Sequence, residues 1–285
     1  MAQTIDGKAI AREIESLTKD RLEKLITETG AMPKLVSIMI GHQKEAQLYM
    51  NMQKKLAVEI GIEFNVMKLD ENISQTELLE KIEDLNRDKT VTSVILQRPL
   101  PKGINHDVII SKILPEKDAE GIHPCNLGRI LRREADIVPC TPGAVMKILR
   151  VQKVDLYGKN VVIIGHSAIV GKPLSLMMLN ETATTTVCHI GTAEKGNIIE
   201  HAKKADVLVV AVGKPKMVKS DWVKEGAVVV DVGINNVNGE IVGDVDFSEA
   251  SKKASMITPV PGGVGPVTVA ILMRNVLRGF KAQNE

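Results

Sequence analysis

Gly165-His-Ser-Ala-Ile-Val-Gly171-Lys-Pro173 is the stretch of this chain with the plainest chemical potential. It follows a short apolar, β-branched run, Val161–Ile164, which reads as a buried strand. It leads into a helical stretch, Leu174–Leu179, with Pro173 suited to a first helical turn. A strand, a glycine turn and a helix start present free backbone N–H groups and the positive end of a helix dipole, a combination that binds phosphate. The spacing here is G-x-S-x-x-x-G rather than the G-x-G-x-x-G of many dinucleotide sites. By itself the stretch therefore fits an ordinary strand-to-helix turn in an α/β core equally well. Other chemistry has less support. Cys125, Cys140 and Cys188 are far apart and form no C-x-x-C pair, which suits reduced thiols in a cytoplasmic protein. Cys188-His189 lacks a second Cys/His pair and reads as structural, so no metal site is expected. His123 in GIHP reads as a loop residue, and no local Ser–His–Asp arrangement is suggested.

The elements that must position such a turn are those of an α/β protein. Asp6 can cap a helix over Gly7–Glu28, with Ile10, Ile14, Leu17 and Leu25 on one stripe and Gly30 ending it. Strand patterns at Pro33–Gly41, Glu63–Leu69 and Thr92–Gln97 alternate with helices at Glu45–Ile60 and from the capping box Ser74-Gln-Thr-Glu77 to Asn86. A helix at His106–Ile113 and a polar loop, Pro115–Gly121, follow. Pro139-Cys-Thr-Pro142 breaks the pattern before a short helix, Ala144–Val151. Strands at Thr184–His189, Asp206–Val212 and Ala227–Val232, a helix at Ile198–Lys204 and a short helix capped by Ser220 continue a second alternation. Asn238-Gly239 suggests a hairpin. The rigid loop Ile257–Pro266 precedes a last apolar-faced helix, Val267–Phe280, expected to return to the first domain. Strands alternating with helices predict parallel sheets. The expectation is two α/β domains, 1–140 plus 266–285 and 141–265, the second of Rossmann type, with ligands at the carboxyl ends of its strands.

Composition narrows the classes. With 44% hydrophobic and 25% charged residues, the chain is globular, and only 2% aromatics leave Ile, Val, Leu, Ala and Met to build the core. A net charge of +2 and no block of Lys/Arg argue against a nucleic-acid or membrane-surface partner. No apolar run approaches the ~18 residues of a membrane span, and no apolar leader opens the chain.

Several stretches taken together carry a resemblance. They are the Tyr49–Lys55 helix, LQRPLP at Leu96–Pro101, PEKDAEGIHPCN at Pro115–Asn126, GHSAIVGKP at Gly165–Pro173, DVGIN at Asp231–Asn235 and ITPVPGGVGPVT at Ile257–Thr268. In this order, over essentially the whole chain, the sequence resembles the methylenetetrahydrofolate dehydrogenase/methenyltetrahydrofolate cyclohydrolase family. The resemblance implies two α/β domains with a cleft between them, a homodimer, a tetrahydrofolate derivative as substrate, and NADP, with NAD the other candidate, as cofactor.

The resemblance also implies site residues. Tyr49 matches a tyrosine that stacks on the folate, and Gln97 a glutamine near the reacting carbons. Asp118 matches a family acid, and Glu120 stands where the acid close to the pterin is usually Asp. Pro261, Gly262 and Gly263, with Gly265, would let backbone approach the substrate. Gly165, His166, Ser167, Ile190 and Ile234 fall on the cofactor side. Tyr49, Gln53, Gln97 and Asp118 form the expected catalytic set. Gln53 departs from the pattern, because the family carries a proton-transfer lysine one turn after the tyrosine, and Lys54 is rotated by roughly 100° from that position. Arg98 replaces an apolar family residue, and His166 an arginine that helps hold a 2′-phosphate.

The implied reaction is hydride transfer from 5,10-methylenetetrahydrofolate to the nicotinamide, giving the 5,10-methenyl cation. That step needs alignment of two ligands more than acid–base chemistry. Hydrolysis of the cation needs a group that moves a proton, and a glutamine is not one near neutral pH. A dehydrogenase with little cyclohydrolase activity is therefore expected. The alternatives are a fully bifunctional enzyme, a dinucleotide-dependent dehydrogenase of a non-folate substrate, and a binding protein without chemistry. Folate-dependent reduction of NAD or NADP separates the first two of these four readings from the others.

Overall fold

The computed structural model describes residues 2–42 and 44–285, with the side chains of Lys44 and Glu45 outside the description. The chain divides into two compact units, one of Glu13–Cys140 with Val269–Glu285, the other of Thr141–Thr268 with the residues up to Arg12. Residues 2–12 were expected with the first domain. They join the second unit instead, because strand β1 (Gln3–Thr4) adds a parallel edge to its sheet. Asp6 Oδ1 accepts from Ala9 N (3.0 Å) and starts helix α1 (Gly7–Thr29). Gly30, at φ 69°, ends it. Leu17, expected on the buried stripe, is 48% exposed, and the adjacent Thr18 takes the inward position by returning its hydroxyl to Ile14 O.

In the first unit β2 (Lys34–Ile40) lies between β3 (Glu63–Leu69) and β4 (Ser93–Leu96), all parallel. Helix α2 (Lys44–Glu59) connects β2 to β3, and α3 (Gln75–Arg87), with the complete Ser74–Glu77 capping box, connects β3 to β4. The short α4 (His106–Ile110) follows. Helix α5 (Pro124–Leu131) lay outside the sequence expectation; His123 Nδ1 caps it and Pro124 opens it. The core gathers Leu22, Leu35, Met39, Ile60 and Phe64 with Leu272, Met273, Val276 and Phe280 of the last helix. Helix α6 (Cys140–Val151) begins inside the Pro139–Pro142 stretch that was expected to break the pattern, since Pro142 falls in its first turn, where no N–H is needed.

The second unit has a parallel sheet in the order β1-β11-β8-β7-β5-β6. Its members are β5 (Asn160–Ile164), β6 (Thr184–Cys188), β7 (Val207–Val210), β8 (Val228–Asp231) and β11 (Met256–Ile257), and strand order reverses between β5 and β7. Helix α7 (Gly171–Asn180) joins β5 to β6, and α8 (Ile190–Glu194) and α9 (Ile198–Ala202) lead to β7. Asn238 and Gly239, at φ 53° and 89°, turn the hairpin β9 (Asn235–Val237)–β10 (Glu240–Val242). Helix α10 (Phe247–Ala250) precedes β11, and α11 (Val264–Asn284) closes the chain. The β5, β7 and β8 interiors are Val/Ile/Leu runs buried on both faces, as a doubly covered parallel sheet requires. Among the described residues, no helix is long and apolar enough to cross a membrane.

Candidate active site and dinucleotide turn

In the first unit, α2 carries Tyr49 and Gln53 four residues apart, on one face. Gln53 is fully buried. Its Oε1 accepts from Gln97 Nε2 at 2.8 Å, and the same Gln97 nitrogen donates to Ser37 Oγ at 3.0 Å. Gln97 follows β4 directly, and its backbone N donates to Ile38 O (2.9 Å), so sheet hydrogen bonding fixes where its side chain starts. The Gln97 N–H groups are thus spent on protein, while the buried Gln53 Nε2 has no partner. Ser37 was not anticipated, and nothing in its local sequence marks it.

The acids come from the loop after α4. Lys117 Nζ, buried, donates to Leu85 O, Asn86 O and Asp88 O at 2.8–2.9 Å, which ties the loop to the carboxyl end of α3. Asp118, expected among the groups that meet substrate, spends both oxygens on its own loop. Oδ1 accepts from Gly121 N (3.0 Å), and Oδ2 accepts from His123 N (2.7 Å) and Asn126 Nδ2 (2.9 Å). Burial raises the Asp118 carboxyl above the usual range, against these donors.

Glu120 is different. Its Oε1 pairs with Arg98 Nη2 at 3.3 Å, and its buried Oε2 has no partner. Burial pushes its carboxyl up to about 7, with Arg98 opposing and Asp118 reinforcing. Tyr49 is close to the same groups: burial, Cys140 and Glu120 raise its hydroxyl above the usual range, against Gln53 and Arg98. Asn275 of α11, fully buried, donates through Nδ2 to Ala119 O (3.0 Å) and Val138 O (2.8 Å), and Cys140 N donates to Glu120 O. Tyr49, Gln53, Gln97, Arg98, Glu120 and Cys140 therefore form one polar site in this unit. Arg98, Cys140 and Asn275 were not expected there, because only tertiary contact brings them together.

In the second unit Gly165 ends β5 at φ 124°, and a Cβ there would collide with Ala211 O. A Cβ on Gly171 would collide with Gly165 O, so both glycines are demanded by the turn. Ser167 Oγ accepts from Val170 N (3.2 Å) and shapes the turn before α7. His189 Nδ1 accepts from Gly191 N (3.2 Å) and caps α8, and its ring lies 5.2 Å from that of His166. Gly165, His166, Ser167 and His189 line a cavity of about 310 Å³ with Ile190, Ala211, Val212, Lys214 and Met217. Ile190 and Ile234 are 60% and 66% exposed. A turn bounded by two glycines, a helix start and an open cavity at the carboxyl ends of β5, β6 and β7 suit a dinucleotide.

Two buried aspartates hold the neighbouring loops. Asp231 accepts from the backbone N of Gly233, Asp244 and Val245, and Asp244 from the backbone N of Val212, Gly213 and Lys214 and from Asn235 Nδ2. A Cβ on Gly233 would strike Asp244, and one on Gly243 would strike Asp231. The Pro261-Gly-Gly263 loop lies in this same unit, where Gly262 and Gly263 carbonyls pack so closely on Gly7 that a side chain there has no room.

Comparison with known proteins identifies the pattern. Residues 5–120 match the catalytic domain of tetrahydrofolate dehydrogenase/cyclohydrolase, and residues 139–284 match its NAD(P)-binding domain. The chain is 48% identical over 279 residues to the bifunctional protein FolD of a Sulfurihydrogenibium species, covering 97% of each chain. The crystal structure of the bifunctional FolD dehydrogenase/cyclohydrolase of Campylobacter jejuni superposes with a TM-score of 0.94 at 43% identity, over 99% of both chains. That of the Trypanosoma brucei enzyme, complexed with NADP and an inhibitor, superposes with 0.93 at 39% identity, over 99% of this chain and 98% of the other.

Proposed function

This chain belongs to the tetrahydrofolate dehydrogenase/cyclohydrolase family, and we propose that it oxidises 5,10-methylenetetrahydrofolate to the 5,10-methenyl cation with NADP and hydrolyses that cation poorly. The observation that carries this reading is the amide pair Gln53–Gln97, buried with Ser37 where a titratable group would be needed for hydrolysis.

The residues divide the work as follows. The Tyr49 ring offers a face for a flat heterocycle. Gln97 has committed its N–H groups to Gln53 and Ser37, so it offers a ligand its carbonyl oxygen. That dipole favours the positive charge that develops as hydride leaves the bridging carbon. Glu120 accepts from the pterin N–H groups, and Asp118 holds the loop that presents it. The turn at Gly165, His166 and Ser167 with the start of α7 holds the cofactor phosphates, Ile190 lines the same cavity, and the exposed Ile234 takes its cofactor role from the family resemblance. NADP, when bound, supplies the hydride acceptor. For Pro261, Gly262 and Gly263 the substrate-binding role is carried by the family resemblance; in their own unit the Gly262 and Gly263 carbonyls pack on Gly7. Hydrolysis differs, because water must lose a proton and a ring nitrogen must gain one. Gln53 can donate a hydrogen bond from its unpartnered Nε2 but takes up no proton near neutral pH. We place the enzyme in the cytoplasm as a homodimer, to be checked by light scattering.

The test has two parts. Reduced nicotinamide should appear when the protein is given 5,10-methylenetetrahydrofolate and NADP; its absence overturns the reading. Loss of methenyl absorbance should proceed little faster with protein than in buffer alone; rapid protein-dependent loss would make the enzyme fully bifunctional.

A further inference from the structure

The Arg98–Glu120 ion pair has no part in the chemistry above, yet it occupies the carboxylate assigned to the substrate. Glu120 has a side chain 15% exposed and Arg98 one 40% exposed, so the pair is anchored at its carboxylate end. Oε1 faces the guanidinium, and the buried Oε2 has no partner. The charged and titratable groups around it are Asp118 of the same loop, Cys140 at the start of α6, Tyr49 of α2 and Arg98 after β4, with Arg274 of α11 acting on Cys140. Asp118, Cys140 and Tyr49 either carry or would acquire negative charge, and Arg98 is the cation paired directly with Glu120, so it favours the ionised form.

Resting on the folate reading above, we propose that Arg98 is a positioning residue: it favours the Glu120 carboxylate over the protonated acid and commits Oε1, so that Oε2 is the oxygen left for the substrate. A carboxylate with both oxygens open takes two parallel N–H donors from an aminoheterocycle. Here one oxygen is engaged, and the other is buried with no protein donor that a ligand would have to displace. The ionised form matters because a protonated carboxyl donates where it should accept. With its carboxyl raised to about 7 even beside the guanidinium, Glu120 without Arg98 would be largely protonated at neutral pH. The sign follows: substrate recognition by Glu120 is lost as pH falls through that value, and removal of Arg98 moves the loss to higher pH.

The test uses Arg98→Leu, Arg98→Lys and the double variant Arg98→Leu/Glu120→Asp, in steady-state NADP reduction over roughly pH 6 to 9. Arg98→Leu should raise KM for methylenetetrahydrofolate at pH 7 by about tenfold, with kcat and KM for NADP little changed. Its acid limb of kcat/KM should move to higher pH. Arg98→Lys should fall between the two, because an ammonium keeps the charge but not the planar fork. The double variant should recover part of the loss, since the shorter acid withdraws from the position Arg98 served. Thermal unfolding of each variant separates a folding defect from a binding one. An active parent with Arg98→Leu unmoved in KM and in pH profile overturns the proposal alone. A parent with no folate-dependent turnover overturns the folate reading and this proposal with it.

Discussion

Both units bury carboxylates, and they do so in opposite ways. In the second unit Asp231 and Asp244 are saturated by donors from their own backbone neighbours, and each is closed in by a glycine that leaves no room for anything else. In the first unit Glu120 is satisfied on one oxygen by a half-exposed arginine and on the other by nothing, and Gln53 nearby keeps an unpartnered Nε2. A buried polar atom left without a partner costs about 1–3 kcal/mol. A fold that tolerates Gln53 Nε2, Glu120 Oε2 and Asn275 Oδ1 without partners within one polar cluster has left hydrogen-bonding capacity for a ligand, whereas a saturated carboxylate holds backbone. Asp118 is the instructive intermediate. It lies two residues from Glu120 in sequence, yet its three donors place it with Asp231 and Asp244 as a clasp.

The largest effect should come from breaking the saturated side. Asp244→Ala would strand three backbone N–H groups and take one of two acceptors from the Asn235 amide, and should cost on the order of 4 kcal/mol or more. Val212 and Lys214 line the dinucleotide cavity, so the surviving protein should also bind NADP more weakly. Urea unfolding checks the first point and fluorescence titration with reduced nucleotide the second; a loss below about 1 kcal/mol would remove the distinction between the two units. The next effect should come from refilling the unsaturated side. Gln53→Lys should raise methenyl hydrolysis by about a hundredfold, in the range of general acid–base catalysis, with a smaller change in hydride transfer. The Gln97 amide can accommodate the new donor by rotating 180°, which turns its oxygen to the lysine, leaves Ser37 to donate in turn and presents N–H groups to the ligand in place of the carbonyl, the source of the change in hydride transfer. Hydrolysis followed by methenyl absorbance, unchanged in this variant, would mean that the missing group is not what limits the second reaction.

Legibility in the sequence followed the range of the forces involved. The buried strands were readable because unbroken β-branched runs such as Val161–Ile164 have few other uses, and the Ser74–Glu77 box and Asn238-Gly239 turn were readable because their chemistry is local. Strand β1 was not, since two residues at a sheet edge carry no periodicity. Helix α5 was hidden because a short helix containing Gly128 has little intrinsic propensity, and its cap is a histidine rather than Ser, Thr, Asp or Asn. In the sites, the glycine turn was legible as backbone chemistry, and Gln53 stood out only against the family pattern. The Arg98–Glu120 pair and the Asp231–Asp244 clasp were invisible, because partners 22 and 13 residues apart are joined by loop paths that no local pattern encodes.

The smallest expected effect concerns nucleotide choice, where the second unit is saturated in its scaffold but open at its rim. The residues lining the cavity include no acid that would take both hydroxyls of a free ribose, as a site built for NAD would. They also include no arginine to fork a 2′-phosphate; Lys214 and the facing rings of His166 and His189 are the basic groups present. Ile190, where the chain leaves β6, is 60% exposed and adds nothing polar. With neither recognition element in place, the preference for NADP over NAD should stay below about a thousandfold in kcat/KM, roughly 4 kcal/mol. Ile190→Arg should then shift the ratio towards NADP by about tenfold, more at low salt, because an exposed guanidinium is screened. Paired kinetics with both nucleotides decide the matter. A parent ratio above a thousandfold would show that Lys214 and the histidine pair already read the phosphate, and an unmoved ratio in Ile190→Arg would place the 2′-position away from the end of β6.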